Sequence, residues 1–153
     1  MTDQGKAPHA GVEEPKKARI SSAGEGRFVA IVPSGHAQVI TSNGNDLGAA
    51  TPMELLLIAV GTCTAIDVES ILGKKREKVT DYKIEVHGDR REEYPKSFTK
   101  IYVKHILRGH HLSEEAVKRA IELSDEKYCS VAATLRPTAE IISSYVIEEE
   151  PAA

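Results

Sequence analysis

The chain has 153 residues, 41% of them hydrophobic and 28% charged, with a formal net charge of -3 and a pI near 6.1. This size fits one ordinary domain, and this charge excludes a global basic field that would recruit nucleic acid. The polar N-terminus lacks the apolar segment of a signal peptide, so the cytoplasm is the expected location.

The first elements in chain order are predicted to be a tail and short strands. Residues 1–18 are rich in charged residues, proline and glycine, which predicts a mobile tail. A short strand begins at Arg19, and residues 21–26 are a turn-forming cluster. Residues 27–32 and 37–41 are predicted to be strands that pair through a tight turn, followed by a loop.

A long helix is predicted after this hairpin. Thr51 can cap its start, and Pro52 suits the first helical position. Residues 55–60 are apolar without a break, which predicts a helix buried on every side but too short in its apolar run to cross a membrane. Gly73 is the predicted C-terminal stop. Such a helix is hard to bury in a small monomer, so we expect a second copy of the chain to cover part of it.

The second half of the chain predicts a hairpin, a helix and a final strand. Residues 79–86 alternate between apolar and polar, and residues 98–106 form the partner strand, with a slip of phase near its start. Ser113 is the predicted N-cap of the second helix. A further helical turn is expected at residues 130–135, and residues 138–147 close the fold as a strand.

This order of elements favours an α+β fold over a doubly wound sheet, because no βαβ rhythm repeats. We expect a single domain over residues 19–148 and a short acidic tail over residues 149–153. The six histidines lack metal-ligand spacing to one another or to a cysteine, and a glycine-rich phosphate loop and a serine nucleophile motif are absent. No metal and no cofactor are therefore expected.

Two cysteines carry the most informative chemistry of the sequence. Cys63 lies on the long helix, where a free cysteine is often just a small buried hydrophobe. Small neighbours around Cys63 and the polar residues Asp67 and Glu69 favour a chemical role instead. Cys129 follows the second helix at a break between elements. The two lie 66 positions apart, so spacing leaves open whether their sulfurs meet, and in a reducing compartment a permanent disulfide is not expected.

The run Thr51-Pro-Met-Glu-Leu-Leu-Leu that leads to Cys63, with Tyr128-Cys129-Ser130 after a second helix, resembles the osmotically inducible protein C and organic hydroperoxide resistance (OsmC/Ohr) family. The resemblance covers residues 19–148. It implies an α+β fold built as an intertwined homodimer, with active sites at the subunit interface. It also implies a cysteine-based peroxidase that acts in defence against oxidative stress.

The resemblance assigns roles to both thiols. Cys63 would be the peroxidatic nucleophile that attacks an organic hydroperoxide and becomes a sulfenic acid, and Cys129 would resolve it as a disulfide. A dithiol reductant, lipoyl-type in some members of the family, would then reset the pair by exchange. Neither a nucleic acid nor a membrane is an expected partner.

This chain departs from the pattern of the well-studied peroxidases at the start of the helix. Those members place a glutamate directly after the helix-opening proline, where it orients an arginine beside the sulfur. Here that position is Met53, and the carboxylate follows as Glu54, about 100° further around the helix. Arg27, with Arg19 as the alternative, is the candidate cation. The chain also has Ser130 where the second motif usually has proline, so it resembles a less-characterised OsmC-like branch.

An alternative function therefore stays open beside the peroxidase. Met53 and the apolar helix could line a pocket of a non-catalytic or weakly catalytic dimer that binds an apolar ligand or senses redox state. Sulfurs that lie far apart, or a Cys63 sealed from solvent, would favour this alternative.

Overall fold

The chain forms two compact units, and the first ends at Pro52. Two tight turns join the strands of this first unit. The computed structural model describes residues 15–45 and 48–151, so most of the predicted N-terminal tail and the last residues of the predicted acidic tail lie outside the described residues. The strands β1 (Arg19–Gly24), β2 (Arg27–Ile31) and β3 (Ala37–Thr41) form an antiparallel sheet in that order.

The turn between β1 and β2 is shorter than predicted. Glu25 and Gly26 alone make it, with φ of 51° and 74°, the two positive values typical of a type I′ hairpin turn. The prediction of a turn over residues 21–26 is therefore wrong for its first part: Ser21 pairs with Val29, and Ser22 pairs with Phe28. Because the turn needs only two residues, the serine and alanine residues before it take the extended conformation of β1.

The second unit begins at Met53 and contains a mixed sheet and helices. The sheet has the order β4 (Lys78–Arg90), β5 (Phe98–His110), β6 (Glu140–Glu149), with β4 antiparallel to β5 and β6 parallel to β5. A parallel neighbour needs a crossover, which the helices between β5 and β6 supply. The α-helices are α1 (Pro52–Lys74), α2 (Glu114–Leu123) and α3 (Ser130–Leu135). The predicted α+β class is confirmed.

The predicted slip of phase in the second strand is a break in strand register. Asp89 pairs with Lys100, but the next residue, Arg90, pairs with Phe98, so Thr99 is the extra residue. The insertion brings Phe98 and Ile101 to the buried side of β5 although they are three residues apart.

The long helix ends at a different residue from the one predicted. Gly73 lies inside α1, and Arg76 takes the left-handed conformation with φ of 60°. The N–H of Glu77 donates to the carbonyl of Leu72 at 3.1 Å, and the N–H of Arg76 donates to the carbonyl of Gly73 at 3.0 Å. These two bonds are a Schellman motif, which satisfies the last carbonyls without requiring glycine at the stop.

The helix α1 buries one face only, so the prediction that it is buried on every side is wrong for the single chain. Val60, Thr64, Val68 and Leu72, four residues apart, are at most 1% exposed. Ile58 and Ile66 on other faces are 55% and 61% exposed. By length and composition α1 would also suffice to cross a membrane, contrary to the estimate from its apolar run, although core helices of soluble proteins pass the same test.

The second unit has two groups of buried side chains. One gathers Val60, Phe98, Ile101, Val103, Cys129, Ala132 and Ala139, and the other gathers Val68, Leu72, Leu107, Ala116, Val117, Ala120 and Ile121. His105 is fully buried in β5, where its Nδ1 lies 2.7 Å from the hydroxyl of Tyr82 on β4. The predicted cap of α2 is confirmed, since the Ala116 N–H donates to the Ser113 hydroxyl at 3.2 Å.

Candidate active site

The site is built on α1 by two residues one helical turn apart. Cys63 and Asp67 have i, i+4 spacing, which places their side chains on the same side of the helix. Cys63 is half-buried and packs against the group of core residues that contains Cys129. The residue Cys63 is therefore not sealed from solvent.

A π-helical turn positions the second cysteine, Cys129. Residues Ser124–Tyr128 form this turn directly after α2, and the N–H of Cys129 closes it by donating to the carbonyl of Ser124 at 2.9 Å. Cys129 then caps α3, because its sulfur accepts the N–H of Ala132 at 3.3 Å. Turns of the π type often mark functional sites.

Three groups meet at this place. The sulfurs of Cys63 and Cys129 and a carboxylate oxygen of Asp67 all lie within 4.8 Å of one another. Both thiols are free. The fold thus answers what spacing left open: it brings together two sulfurs that are 66 positions apart in the sequence.

The environment of Cys129 opposes its ionisation. Its side chain is almost completely buried, and this burial raises the pKa of the thiol above its ordinary value. The Ala132 N–H and the Thr64 hydroxyl partly offset the rise, while the neighbouring Cys63 adds to it. Burial therefore favours the protonated form of this thiol, which is the less nucleophilic one.

Thr64 can respond to the charge on Cys129. Its hydroxyl oxygen lies 2.9 Å from the carbonyl oxygen of Val60 and 3.6 Å from the Cys129 sulfur. A hydroxyl has one proton to donate, so it serves only one of these acceptors at a time. A thiolate is the stronger acceptor, and ionisation of Cys129 would draw this proton towards the sulfur.

Asp67 has a fixed orientation that sequence reasoning did not assign. The hydroxyl of Ser124, which is fully buried, donates to Oδ2 of Asp67 at 2.9 Å. The i, i+4 relation to Cys63 was visible in the sequence, whereas the bond to Ser124 depends on the π-helical turn. The same turn therefore positions both Cys129 and the carboxylate.

The remaining predicted site residues lie on other parts of the chain. Arg19 begins β1 and Arg27 begins β2, both in the first unit. Glu54 is exposed in the first turn of α1, and Met53 packs against the core group that contains Cys129. The roles suggested for Glu54, Arg27 and Arg19 stay predictions.

An open apolar groove of about 400 Å³ runs beside α1. The side chain of Val86 on β4 fills the space beside Gly61, because a Cβ at this glycine would lie 2.7 Å from Cγ2 of Val86. This space is therefore not left open beside the sulfur of Cys63. Small residues near Cys63 thus let the helix approach the sheet. The groove is lined by Leu57, Ile58, Gly61, Thr62, Ala65, Tyr82, Ile84 and Val86.

Comparison with known proteins gives a consistent result. The family model for OsmC-like proteins matches residues 43–144. Protein YhfA of Escherichia coli K12 is 44% identical over 120 residues, which cover 78% of this chain and 89% of YhfA. Solved structures agree with the fold. A hypothetical protein from Aquifex aeolicus is 35% identical with a TM-score of 0.80, covering 90% of this chain and 99% of that one.

A more distant structure shares the fold alone. An organic hydroperoxide resistance protein OsmC from Legionella pneumophila is 13% identical with a TM-score of 0.65, covering 88% of this chain and 98% of that one.

Proposed function

Because the chain belongs to the OsmC-like family, we propose that it is a thiol-dependent peroxidase that reduces organic hydroperoxides through Cys63 and Cys129. One observation carries this proposal: a half-buried thiol and a buried thiol lie within 4.8 Å of each other. The expected resemblance to the OsmC/Ohr family is confirmed, whereas the activity is our proposal.

The first step uses the more accessible sulfur. The thiolate of Cys63 attacks the distal oxygen of the hydroperoxide, the O–O bond breaks, and the leaving alkoxide takes a proton to become an alcohol. The sulfur is oxidised to a sulfenic acid and the peroxide is reduced. Arg27, or Arg19, is the proposed cation that favours the thiolate, and Glu54 is the proposed carboxylate that orients it.

The second step joins the two sulfurs. Cys129 attacks the sulfenic sulfur of Cys63, a disulfide forms, and water leaves with the sulfenic oxygen. A disulfide has an S–S bond of about 2.0 Å, so the sulfurs must approach further from within 4.8 Å. Rotation about the Cα–Cβ bond of Cys129 moves its sulfur without moving the backbone, at the cost of the hydrogen bond that the sulfur accepts from the Ala132 N–H.

A dithiol completes the cycle and leaves the protein unchanged. One thiolate of the reductant attacks the Cys63–Cys129 disulfide, and its second thiol displaces the mixed disulfide, so the reductant leaves as a cyclic disulfide. A lipoyl-type dithiol fits this chemistry. The proposed location is the cytoplasm, where reductants of this class keep thiols reduced.

We also propose that the protein works as a homodimer. The exposed Ile58 and Ile66 on α1 support this, as do Ile20 and Val39 in the first sheet, which are 60% and 46% exposed. A mass in solution of twice the 16.6 kDa chain is expected from sedimentation, and a monomer at working concentrations would contradict it.

The alternative function, a weakly catalytic dimer that binds an apolar ligand, is favoured by one observation. The groove beside α1 is open and lined mostly by apolar side chains. In this case an apolar ligand would bind in the groove, and substitution of either cysteine would leave its affinity unchanged.

Steady-state turnover separates the two functions. Reduced protein is mixed with an alkyl hydroperoxide and a dithiol, and peroxide loss is followed beside the dithiol alone. We expect turnover well above the free dithiol and saturation with the hydroperoxide. A rate no higher than that of the dithiol would reject the peroxidase and leave the binding function.

A further inference from the structure

We propose that the reduced protein binds one Zn²⁺ ion through Cys63, Cys129 and Asp67. Two thiolate sulfurs and one carboxylate oxygen are a ligand set that zinc takes, and three protein ligands leave the fourth tetrahedral position for water or another small ligand. All three donor atoms come from one place in the second unit.

The distances fit a tetrahedral ion after a small contraction. Zn–S bonds of about 2.3 Å place two coordinating sulfurs about 3.8 Å apart. The three donor atoms already lie within 4.8 Å of one another, so each pair needs to close by about 1 Å at most. Rotation of the side chains about the Cα–Cβ bonds moves these atoms by more than that distance.

Neighbouring groups already orient two of the three ligands. The buried Ser124 hydroxyl donates to Oδ2 of Asp67 at 2.9 Å, which holds the carboxylate in place and leaves it further lone pairs to bind the ion. The Ala132 N–H donates to the sulfur of Cys129 at 3.3 Å. Outer-shell hydrogen bonds of this kind typically fix the ligands of zinc sites.

A divalent cation also offsets the charge that its binding creates. Once the ion has displaced both thiol protons, two thiolates and the Asp67 carboxylate place three negative charges around it, on donor atoms that already lie within 4.8 Å of one another. Zn²⁺ neutralises two of them and replaces the two thiol protons, which leave to solvent. The i, i+4 pair on α1 supplies two ligands from a rigid element, and Cys129 supplies the third from the π-helical turn.

Zinc binding would regulate the proposed peroxidase, and this part of the inference rests on the proposed function. The ion occupies the lone pairs with which the Cys63 sulfur would attack the hydroperoxide and with which the Cys129 sulfur would attack a sulfenic acid. The loaded protein would therefore resist oxidation by hydroperoxide, and removal of zinc would restore turnover.

The test measures metal binding to the reduced full-length chain without oxygen and without hydroperoxide. Co²⁺ is added first, because thiolate coordination produces an intense near-ultraviolet charge-transfer band, and Zn²⁺ is then added to displace it. We expect one Co²⁺ to bind per chain. One equivalent of Zn²⁺ should then abolish the charge-transfer band.

Substitutions locate the ion. Cys63→Ser and Cys129→Ser are each expected to abolish the tight one-to-one site. Asp67→Asn, which keeps a side chain that can accept the Ser124 hydrogen bond, should lower zinc affinity at least about tenfold. Glu69→Gln is the matched control, since Glu69 is exposed on the same helix outside the ligand set. Its affinity should equal that of the wild type.

The proposal is overturned if reduced wild-type protein gives no thiolate–cobalt band, or if zinc binds equally well after both cysteines are replaced. The binding assay contains no peroxide, so its failure leaves the peroxidase proposal intact. Conversely, zinc binding through these residues without any hydroperoxide turnover would support the zinc site and reject the peroxidase proposal.

Discussion

Cys63→Ser is expected to reduce hydroperoxide turnover to the rate of the free dithiol. The hydroxyl of serine does not ionise near neutral pH and is a far poorer nucleophile towards a peroxide oxygen than a thiolate. Cys63 is half-buried whereas Cys129 is buried, so in the proposed mechanism Cys63 is the residue that a hydroperoxide would reach. Peroxide loss in the dithiol-coupled assay measures this effect.

Cys129→Ser is the matched variant, because it removes the buried sulfur and leaves the accessible one. A sulfenic acid should then accumulate on Cys63 after one equivalent of hydroperoxide, and a sulfenate-specific dione should label that residue. In the wild type the same label should be sparse, since the Cys129 sulfur lies within 4.8 Å of the Cys63 sulfur and, in the proposed mechanism, would consume the sulfenic acid. A label on Cys129 in the Cys63→Ser protein, with turnover retained, would reverse the assigned roles.

His105→Gln is expected to remove a large pH dependence of stability. His105 is fully buried, and this burial lowers its pKa from an ordinary value near 6.5 to about 4. The unfolded chain therefore binds a proton at this residue at a higher pH than the folded chain does. Stability from the neutral buried histidine is present above about pH 6.5 and is lost as the pH falls towards 4.

The difference in pKa corresponds to about 3 kcal/mol of unfolding free energy between pH 7 and pH 4. The cause is geometric. Nδ1 pairs with the hydroxyl of Tyr82 at 2.7 Å, and the buried Nε2 has no hydrogen-bond partner among the described residues. A proton added to this ring would put a charge in the core with one partner only.

Urea unfolding at several pH values measures this loss. Carboxylates titrate in both proteins. The quantity to compare is therefore the slope of the unfolding free energy against pH, in the wild type and in His105→Gln. His36→Gln is the control, because His36 is exposed in the turn before β3. Equal loss of stability on acidification in the wild type and in His105→Gln would contradict the assignment.

Local patterns in the sequence predicted those elements whose causes are local. The alternation that begins at Val79 predicts a half-buried strand, and Ser113 before two glutamates predicts a capped helix, because these signals depend on neighbours along the chain. The end of α1 was less predictable. A Schellman motif needs one residue with positive φ, and here Arg76 takes that conformation although Gly73 was the favoured candidate.

The site shows where sequence reasoning stops. Cys63 and Cys129 were identified from their rarity and from the family resemblance, but their proximity depends on a π-helical turn that no local pattern predicted. The role of Ser124 as partner of Asp67 depends on the same turn. The apolar run predicts that a single chain leaves part of α1 uncovered, but it does not reveal which of its residues those are.

The most direct test of the central claim, that Cys63 and Cys129 form one redox unit, is a peroxide titration of reduced protein without any dithiol. The protein is then digested under non-reducing conditions and its peptides are identified by mass. We expect each chain to consume one hydroperoxide and to yield a single linked peptide pair that joins Cys63 to Cys129. Two thiols that both remain open to alkylation, or a link between Cys63 residues of different chains, would contradict it.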